Sequence, residues 1–318
     1  MKNFLSIDDV PDPSGLVQKA IEYKKNPLRD KQLGYGKKIG MVFLNPSMRT
    51  RISTQAAALN LGMEVIVFNA DKDGWQLEFA EGAIMNGDKA EHVKEAAAVM
   101  GQYFDILGIR TFPQLQDREV DYSEQVMNQF VKYAGVPVIS LESATLHPLQ
   151  SLADRMTIQE TFKEKRKPKV VLTWAPHVKA LPQAVPNSFS NWMGNWEDID
   201  FVITHPADGG YELDEKFTGK ACIEYNQDTA LKDADFVYVK NWSSVKEYGK
   251  ITNRDPSWMI TEEKLKNTRE AKIMHCLPVR RNVVIEDAVL DGTQSIVIQQ
   301  AGNRVWAAQA VLAEMLNQ

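Results

Sequence analysis

Ser47-Met48-Arg49-Thr50-Arg51 follows an apolar run and opens a helical segment, and this combination suits the binding of a phosphate. Unpaired backbone N–H groups and the helix dipole favour an anion there. Two hydroxyls add short hydrogen bonds, and an arginine grips phosphate oxygens in a bidentate fork. The result would be a phosphate cradle without glycines. A hydroxyl residue at such a place also serves as an ordinary helix cap, but a cap has no need of two arginines beside it. Downstream, Glu142-Ser143-Ala144-Thr145-Leu146-His147-Pro148-Leu149-Gln150 gathers a carboxylate, an imidazole and an amide, the donors and acceptors that a small polar carbonyl compound needs. His275-Cys276-Leu277-Pro278-Val279-Arg280-Arg281 is the third cluster. Its thiol has the chemistry of a nucleophile, yet no base is arranged beside it, and a buried cysteine is usually an inert small hydrophobe.

Other patterns carry less. The five histidines, His92, His147, His177, His205 and His275, lack metal-ligand spacing, so neither a metal nor another cofactor is expected. Gly34-Tyr35-Gly36-Lys37-Lys38-Ile39-Gly40 has the wrong spacing for a dinucleotide fingerprint and precedes a strand instead of following one, which argues against an NAD-dependent oxidoreductase. Gly219-Lys220 lacks the upstream glycine of a P-loop and reads as a turn. Asn241-Trp242-Ser243 is a formal glycosylation sequon that a cytoplasmic chain leaves unused.

The elements that position these clusters alternate, strand and helix, in the manner of a parallel α/β fold. Strands are expected at 37–45, 64–69, 105–110 and 136–141, with helices from Arg49 towards Gly62, near 89–103 and near 123–134. After a helix at about 150–162 and a basic link at 163–169, strands follow at 170–174, 201–204, 221–224, 235–240 and 272–274, with a helix near 182–191. An amphipathic helix, Asn303 to Leu316, closes the chain with Val305, Ala308, Val311, Leu312 and Met315 at helical spacing. Ligands of open parallel sheets bind beyond the carboxyl ends of the strands, and each of the three clusters falls just there.

Composition bounds the function classes. The chain has 318 residues, 44% of them hydrophobic and 25% charged, enough for two domains that each bury a core without disulfides. Two cysteines, Cys222 and Cys276, make no disulfide framework, and a reducing, cytoplasmic setting is expected. The first nine residues meet acid before any apolar stretch builds up, and no run of about 18 apolar residues occurs, so neither secretion nor membrane association is expected. A net charge of −5 opposes binding to nucleic acid.

In this order and at these separations the three clusters closely resemble those of the carbamoyltransferase family, which includes the aspartate and ornithine transcarbamylases. Ser47-Met48-Arg49-Thr50-Arg51 matches the carbamoyl-phosphate motif, His147-Pro148-Leu149-Gln150 the HPxQ motif and His275-Cys276-Leu277-Pro278 the HCLP motif. The resemblance spans nearly the whole chain. It implies two domains, residues 1–148 with the C-terminal helix 303–318 for carbamoyl phosphate and residues 149–302 for the second substrate. Each is a mostly parallel sheet flanked by helices. It also implies a homotrimer with active sites shared between subunits. By the same resemblance Ser47, Met48, Arg49 and Thr50 hold the phosphate, with Arg304 reaching it from the last helix. Arg110, His147, Gln150 and Thr50 hold the carbamoyl group, and the Cys276-Leu277 backbone fixes its amino end. Arg49, Arg110, His147 and Cys276 are the catalytic candidates. Trp75 lies in the loop that family members lend to the neighbouring subunit; alternatively it anchors its own loop.

The second substrate is read from departures. Ornithine transcarbamylases grip a free α-amino group with an Asp-x-x-x-Ser-Met-Gly segment, whereas this chain has Val239-Lys240-Asn241-Trp242-Ser243-Ser244. A lysine there would repel an α-ammonium and welcome an acyl carboxylate. The segment resembles the N-acylornithine branch of the family, which implies that Glu142, His177, Lys240 and Arg280 contact an N-acyl-L-ornithine, that the product is an N-acylcitrulline and that the role is in arginine biosynthesis. Acetyl-type members tend to place a glutamate where Ala90 stands, and succinyl-type members a proline. A glutamate at about 4 Å would repel a succinyl carboxylate by about 4 kcal/mol before screening, while Ala90 leaves room without charge. Acetyl-type members also carry a lysine where Val284 stands. Both departures favour N-succinyl-L-ornithine over N-acetyl-L-ornithine, although the neighbouring Glu91 could place a carboxylate close by. A catalytically silent relative that only binds carbamoyl phosphate is the reading from another class.

Overall fold

The computed structural model describes residues 1–70 and 72–317, so Gln318 of the expected 303–318 segment lies outside the described residues. The chain divides into two compact units: Met1–Gln114 with Arg118–Leu152 and Arg304–Gln318, and Leu115–Asp117 with Ala153–Asn303. The principal boundaries fall inside two helices, Pro148–Thr161 and Val297–Leu316.

In the first unit, strands β1 (Lys38–Phe43), β2 (Glu64–Asn69), β5 (Ile106–Arg110) and β6 (Val138–Glu142) form a parallel sheet in the order β2-β1-β5-β6. β5 and β6 are buried along their whole length, as continuous apolar runs in a doubly covered parallel sheet must be, whereas the edge strand β2 is only partly buried. Beyond β6, Phe4 extends the sheet by donating to the Val138 carbonyl and accepting from the Ser140 amide. The helices Val93–Tyr103 and Gln125–Tyr133 close over a core of Val93, Ala97, Leu107, Met127, Phe130 and Val138. Their approach depends on Gly101, where a Cβ would stand 1.7 Å from the Ala134 carbonyl oxygen.

The second unit holds β7 (Lys169–Trp174), β8 (Asp200–Thr204), β9 (Cys222–Glu224), β10 (Phe236–Lys240) and β11 (Lys272–Met274), all parallel, in the order β11-β10-β7-β8-β9. Its core includes Val171, Val202, Val237, Val239, Ile273, Val284 and Ile285. Arg166 of the basic link is structural: it forks onto Asp235 at 2.5 and 2.7 Å and lies over the Phe162 ring.

Sequence and structure part at the element ends. The helix expected from about residue 89 begins at Val93, because β4 (Glu91–His92) pairs with β3 (Leu77–Glu78) and the His92 ring caps the helix through the Lys94 amide. The last helix begins at Val297, six residues before Asn303. Its first turns bury Gln300 and Asn303, polar residues that mask the apolar period. The helix Pro13–Lys25, capped by Asp12 on the Gly15 amide, had no expectation at all.

Candidate active site

β1 delivers the chain to the helix Arg49–Asn60 through Leu44–Met48. The cap residue is Met48, which makes no side-chain capping bond, so neither neighbouring hydroxyl is used to close the helix end. Thr50 faces inward instead and its Oγ1 accepts from Arg110 Nη1 at 3.1 Å and from Arg304 Nη2 at 2.5 Å. Arg110 ends β5 and Glu142 ends the adjacent β6; a register shift at Ile109/Arg110 brings them opposite, and Arg110 Nη1 lies 2.6 Å from Glu142 Oε2 with both side chains under 10% exposed. His147 Nε2 stands 3.5 Å from the same carboxylate oxygen and 3.3 Å from Arg304 Nη2. Burial, then the charges of Arg304 and Arg110, hold the His147 imidazole well below its usual pKa, so the ring is neutral at physiological pH. Gln150, wholly buried, follows one helical turn on. The first unit thus brings Thr50, Arg110, Glu142, His147 and Arg304 together at the strand ends, with Arg49 opening the neighbouring helix and Gln150 one turn beyond His147. Arg110 and Arg304 converge on Thr50, with one carboxylate, Glu142, paired to Arg110, and this balance of charge suits an anion.

Glu142, expected on the second substrate, is here the partner of Arg110 and His147. Ser47 is half-buried at the helix start. Trp75 is 59% exposed and its Nε1 donates to Glu91 Oε2 at 2.8 Å, a bond that keeps the Glu91 carboxylate on the indole. Ala90 is exposed and its amide donates to the Gln76 carbonyl.

The second unit brings together a different set. β7, β10 and β11 are adjacent, and their carboxyl ends carry His177, Lys240 and the His275–Arg280 segment respectively. Lys240 is 9% exposed, and among the described residues its Nζ makes no ion pair or hydrogen bond. His177 Nδ1 accepts from the Lys179 amide at 3.0 Å. Burial first, then the nearby charges of Lys240 and Arg280, lower its pKa, with the Lys179 carbonyl acting in the opposite sense. Arg280 is exposed. Three bases in one neighbourhood, one of them a buried lysine without an acid, favour a ligand carrying carboxylates. Val284, by contrast, is 1% exposed in the apolar core.

Hydrogen bonds that no spacing rule reveals brace this end. Leu277 has φ +55°, an uncommon backbone for a branched residue, and its amide donates to His275 Nδ1 at 2.8 Å. The His275 amide donates to Gln300 Oε1, whose Nε2 donates to Asp154. Cys276 is buried. The phenol of Tyr238 is held well above its usual pKa by burial first and then by the neighbouring Asp154 and Cys276. Trp174 Nε1 donates to the Trp242 carbonyl and Trp242 Nε1 to that of Tyr211, fixing the segment after Lys240. Asn241 of the formal sequon is buried, donating to the Ala175 carbonyl. Among the described residues no group of three or more His, Cys, Asp or Glu could hold a metal ion, and no helix is long and apolar enough to cross a membrane.

Comparison with known proteins gives a consistent picture. Residues 2–160 match the family described as aspartate/ornithine carbamoyltransferase, carbamoyl-P binding domain, and residues 200–315 its Asp/Orn binding domain. The chain is 49% identical to an N-succinylornithine carbamoyltransferase of Bacteroides fragilis over 99% of each chain. It is 37% identical to an N-acetylornithine carbamoyltransferase of Xylella fastidiosa, covering 100% and 99%. Among solved structures, an acetylornithine transcarbamylase complexed with acetylcitrulline superposes with a TM-score of 0.92 at 35% identity over the full length of both chains.

Proposed function

Since this chain belongs to the aspartate/ornithine carbamoyltransferase family, we propose that it transfers the carbamoyl group of carbamoyl phosphate to the δ-amine of N-succinyl-L-ornithine, giving N-succinyl-L-citrulline and phosphate in arginine biosynthesis. The observation that carries the substrate is Lys240: a side chain only 9% exposed, with no acid partner among the described residues, beside His177 and Arg280. N-Succinyl-L-ornithine brings two carboxylates, N-acetyl-L-ornithine one. The uncharged Ala90 and the buried Val284 support the same choice, as does the higher identity to the succinyl-type relative.

In this reading the first unit takes carbamoyl phosphate. Ser47, Arg49, Thr50 and the amides of the uncapped helix end receive the phosphate, with Met48 as the cap and Arg304 reaching Thr50 from the last helix. As the neutral amine attacks, charge grows on the carbamoyl oxygen. Arg110 and the N–H of the neutral His147 stabilise it, with Gln150 alongside, and loss of one such donor costs about 3 kcal/mol. The Cys276-Leu277 backbone fixes the amino end of the group, the Cys276 thiol forming no bond. The departing phosphate accepts the proton released by the amine, so no protein base is required. Trp75 serves a neighbouring copy in a homotrimer. The exposed apolar face of Met48 (67%), Ile52 (61%), Leu59 and Ile66 supports an assembly of copies.

The test is ureido-product formation from carbamoyl phosphate with N-succinyl-, N-acetyl- and free L-ornithine, repeated on Ala90→Glu. Preference for the succinyl compound, shifted towards acetyl by the glutamate, is expected. A preference for acetyl in the unaltered protein would overturn the substrate, and absence of turnover with all three would leave a silent carbamoyl-phosphate binder.

A further inference from the structure

Glu124 has no role in any motif, yet its carboxylate is committed to the stretch between Glu142 and His147. Oε1 accepts from Ser143 Oγ at 2.6 Å, from the Thr145 amide at 2.7 Å and from Thr145 Oγ1 at 2.5 Å, and Oε2 accepts from the Ala144 amide at 3.3 Å. Ser143 and Leu146 then close the turn on themselves, amide to carbonyl at 2.8 Å and amide to hydroxyl at 3.2 Å. All the donors satisfied by this one carboxylate lie within three consecutive residues. Immediately before them is the partner of Arg110, and two residues after them the buried imidazole.

The backbone of Glu124 is unusual in the same sense. It occupies the N-cap of the helix Gln125–Tyr133 with φ +52° and ψ +33°, and its side chain makes no capping bond. A left-handed conformation is disfavoured for a residue with a Cβ, and such conformations persist where surrounding contacts over-determine them. Four charge-assisted bonds to a loop are contacts of that kind. Helix capping is forgone and the acid is aimed at the loop instead.

We propose that Glu124 is a positioning residue that sets the Ser143–Leu146 turn and thereby places Glu142 and His147 against Arg110 and Arg304. This rests on the carbamoyl-transfer reading for its catalytic consequence, but the placement itself does not. A glutamine keeps one oxygen acceptor but loses the charge that strengthens the three bonds to it, and its amide nitrogen would meet the Ala144 amide where Oε2 accepts. An aspartate keeps the charge at a shorter reach.

The experiment compares full-length wild type, Glu124→Gln and Glu124→Asp. Steady-state kinetics are normalised to folded protein, and the His147 imidazole is followed by NMR as pH is varied. His147 faces Glu142, Arg110 and Arg304, and in the wild type burial and the two arginines hold its pKa well below the usual imidazole value. In Glu124→Gln it should become titratable, kcat should fall by about a hundredfold with the KM for acylornithine unchanged, and Glu124→Asp should recover part of both. Wild-type kcat in Glu124→Gln with an unaltered His147 signal would overturn the proposal, as would a loss shared equally by the aspartate. Should Glu124→Gln not fold, Ser143→Ala and Glu124→Asp, singly and combined, give the same information: non-additive losses in kcat support the coupling and additive ones overturn it. A wild type without turnover but with the NMR contrast would sink the carbamoyl-transfer reading and leave the positioning intact.

Discussion

Lys240 combines a small role in the empty fold with a proposed use in binding. A lysine only 9% exposed, with no acid partner among the described residues, contributes little to the empty fold, and a ligand carboxylate would supply the missing charge. Replacement by the similarly sized methionine should therefore leave the thermal midpoint no lower while lowering kcat/KM for N-succinyl-L-ornithine about ten- to a hundredfold, the range for a lost hydrogen bond to a charged group. A lower midpoint in Lys240→Met would show that the lysine has a structural partner. His147 gives a pH prediction of definite sign. Its folded pKa is depressed, so below about pH 6.5 the unfolded chain holds a proton that the native state refuses, and stability falls on acidification until the native ring itself protonates. One such histidine contributes at most about 1.4 kcal/mol per pH unit. His147→Gln should flatten the decline of the denaturation midpoint between pH 7 and 5, and an unchanged slope would assign the acid sensitivity elsewhere. At this level the sequence was informative where chemistry is carried by motifs: Thr50 and His147 lie in them, Arg110 and Arg304 follow from the family resemblance, and these four lie together in the first unit. It was silent on Glu124, Gln300 and Asp154. Their roles depend on partners 18 or more residues away, which no local spacing encodes.

Strands were legible because both sheets are parallel and buried on two faces, which forces short continuous apolar runs bounded by polar residues. β2 and β11 match their expected limits residue for residue, and β6 starts two residues late because Pro137 carries no N–H for the ladder. Helix starts were less legible, since here they are fixed by tertiary partners: His92 belongs to a strand pair, and the turns around Gln300 and Asn303 bury amides. The helix pair Val93–Tyr103 and Gln125–Tyr133 offers a sharp test of packing. A methyl group at Gly101 would collide with the Ala134 carbonyl at 1.7 Å, and backbone cannot yield as a flexible side chain can. Gly101→Ala should destabilise by about 3 kcal/mol, at the upper end for overpacking. The loss would be read as a lower denaturant midpoint with turnover per folded molecule preserved. A neutral substitution would mean that the two helices separate at little cost.

For the whole molecule, what a single chain leaves open is who completes the site. Trp75 is exposed and its indole N–H donates to Glu91 of its own chain, while Met48, Ile52, Leu59 and Ile66 present an apolar face on the same unit. An indole of that size left in water, on a unit that also exposes such a face, fits a residue donated to a neighbour better than a loop anchor. The proposed trimer turns this into arithmetic. Let Arg49→Ala and Trp75→Ala chains, each inactive alone, be unfolded or dissociated, mixed in equal amounts and reassembled. If each site takes its arginine from one subunit and its indole from the next, an intact site needs an arginine donor of one kind beside an indole donor of the other. In closed cyclic assemblies formed at random this occurs for about a quarter of the sites. Activity should therefore return to about a quarter of the wild-type value, with sedimentation reporting a species of three chains. Were Trp75 to serve its own chain, every site in the mixture would lack either Arg49 or Trp75, and no activity would return however the chains were combined.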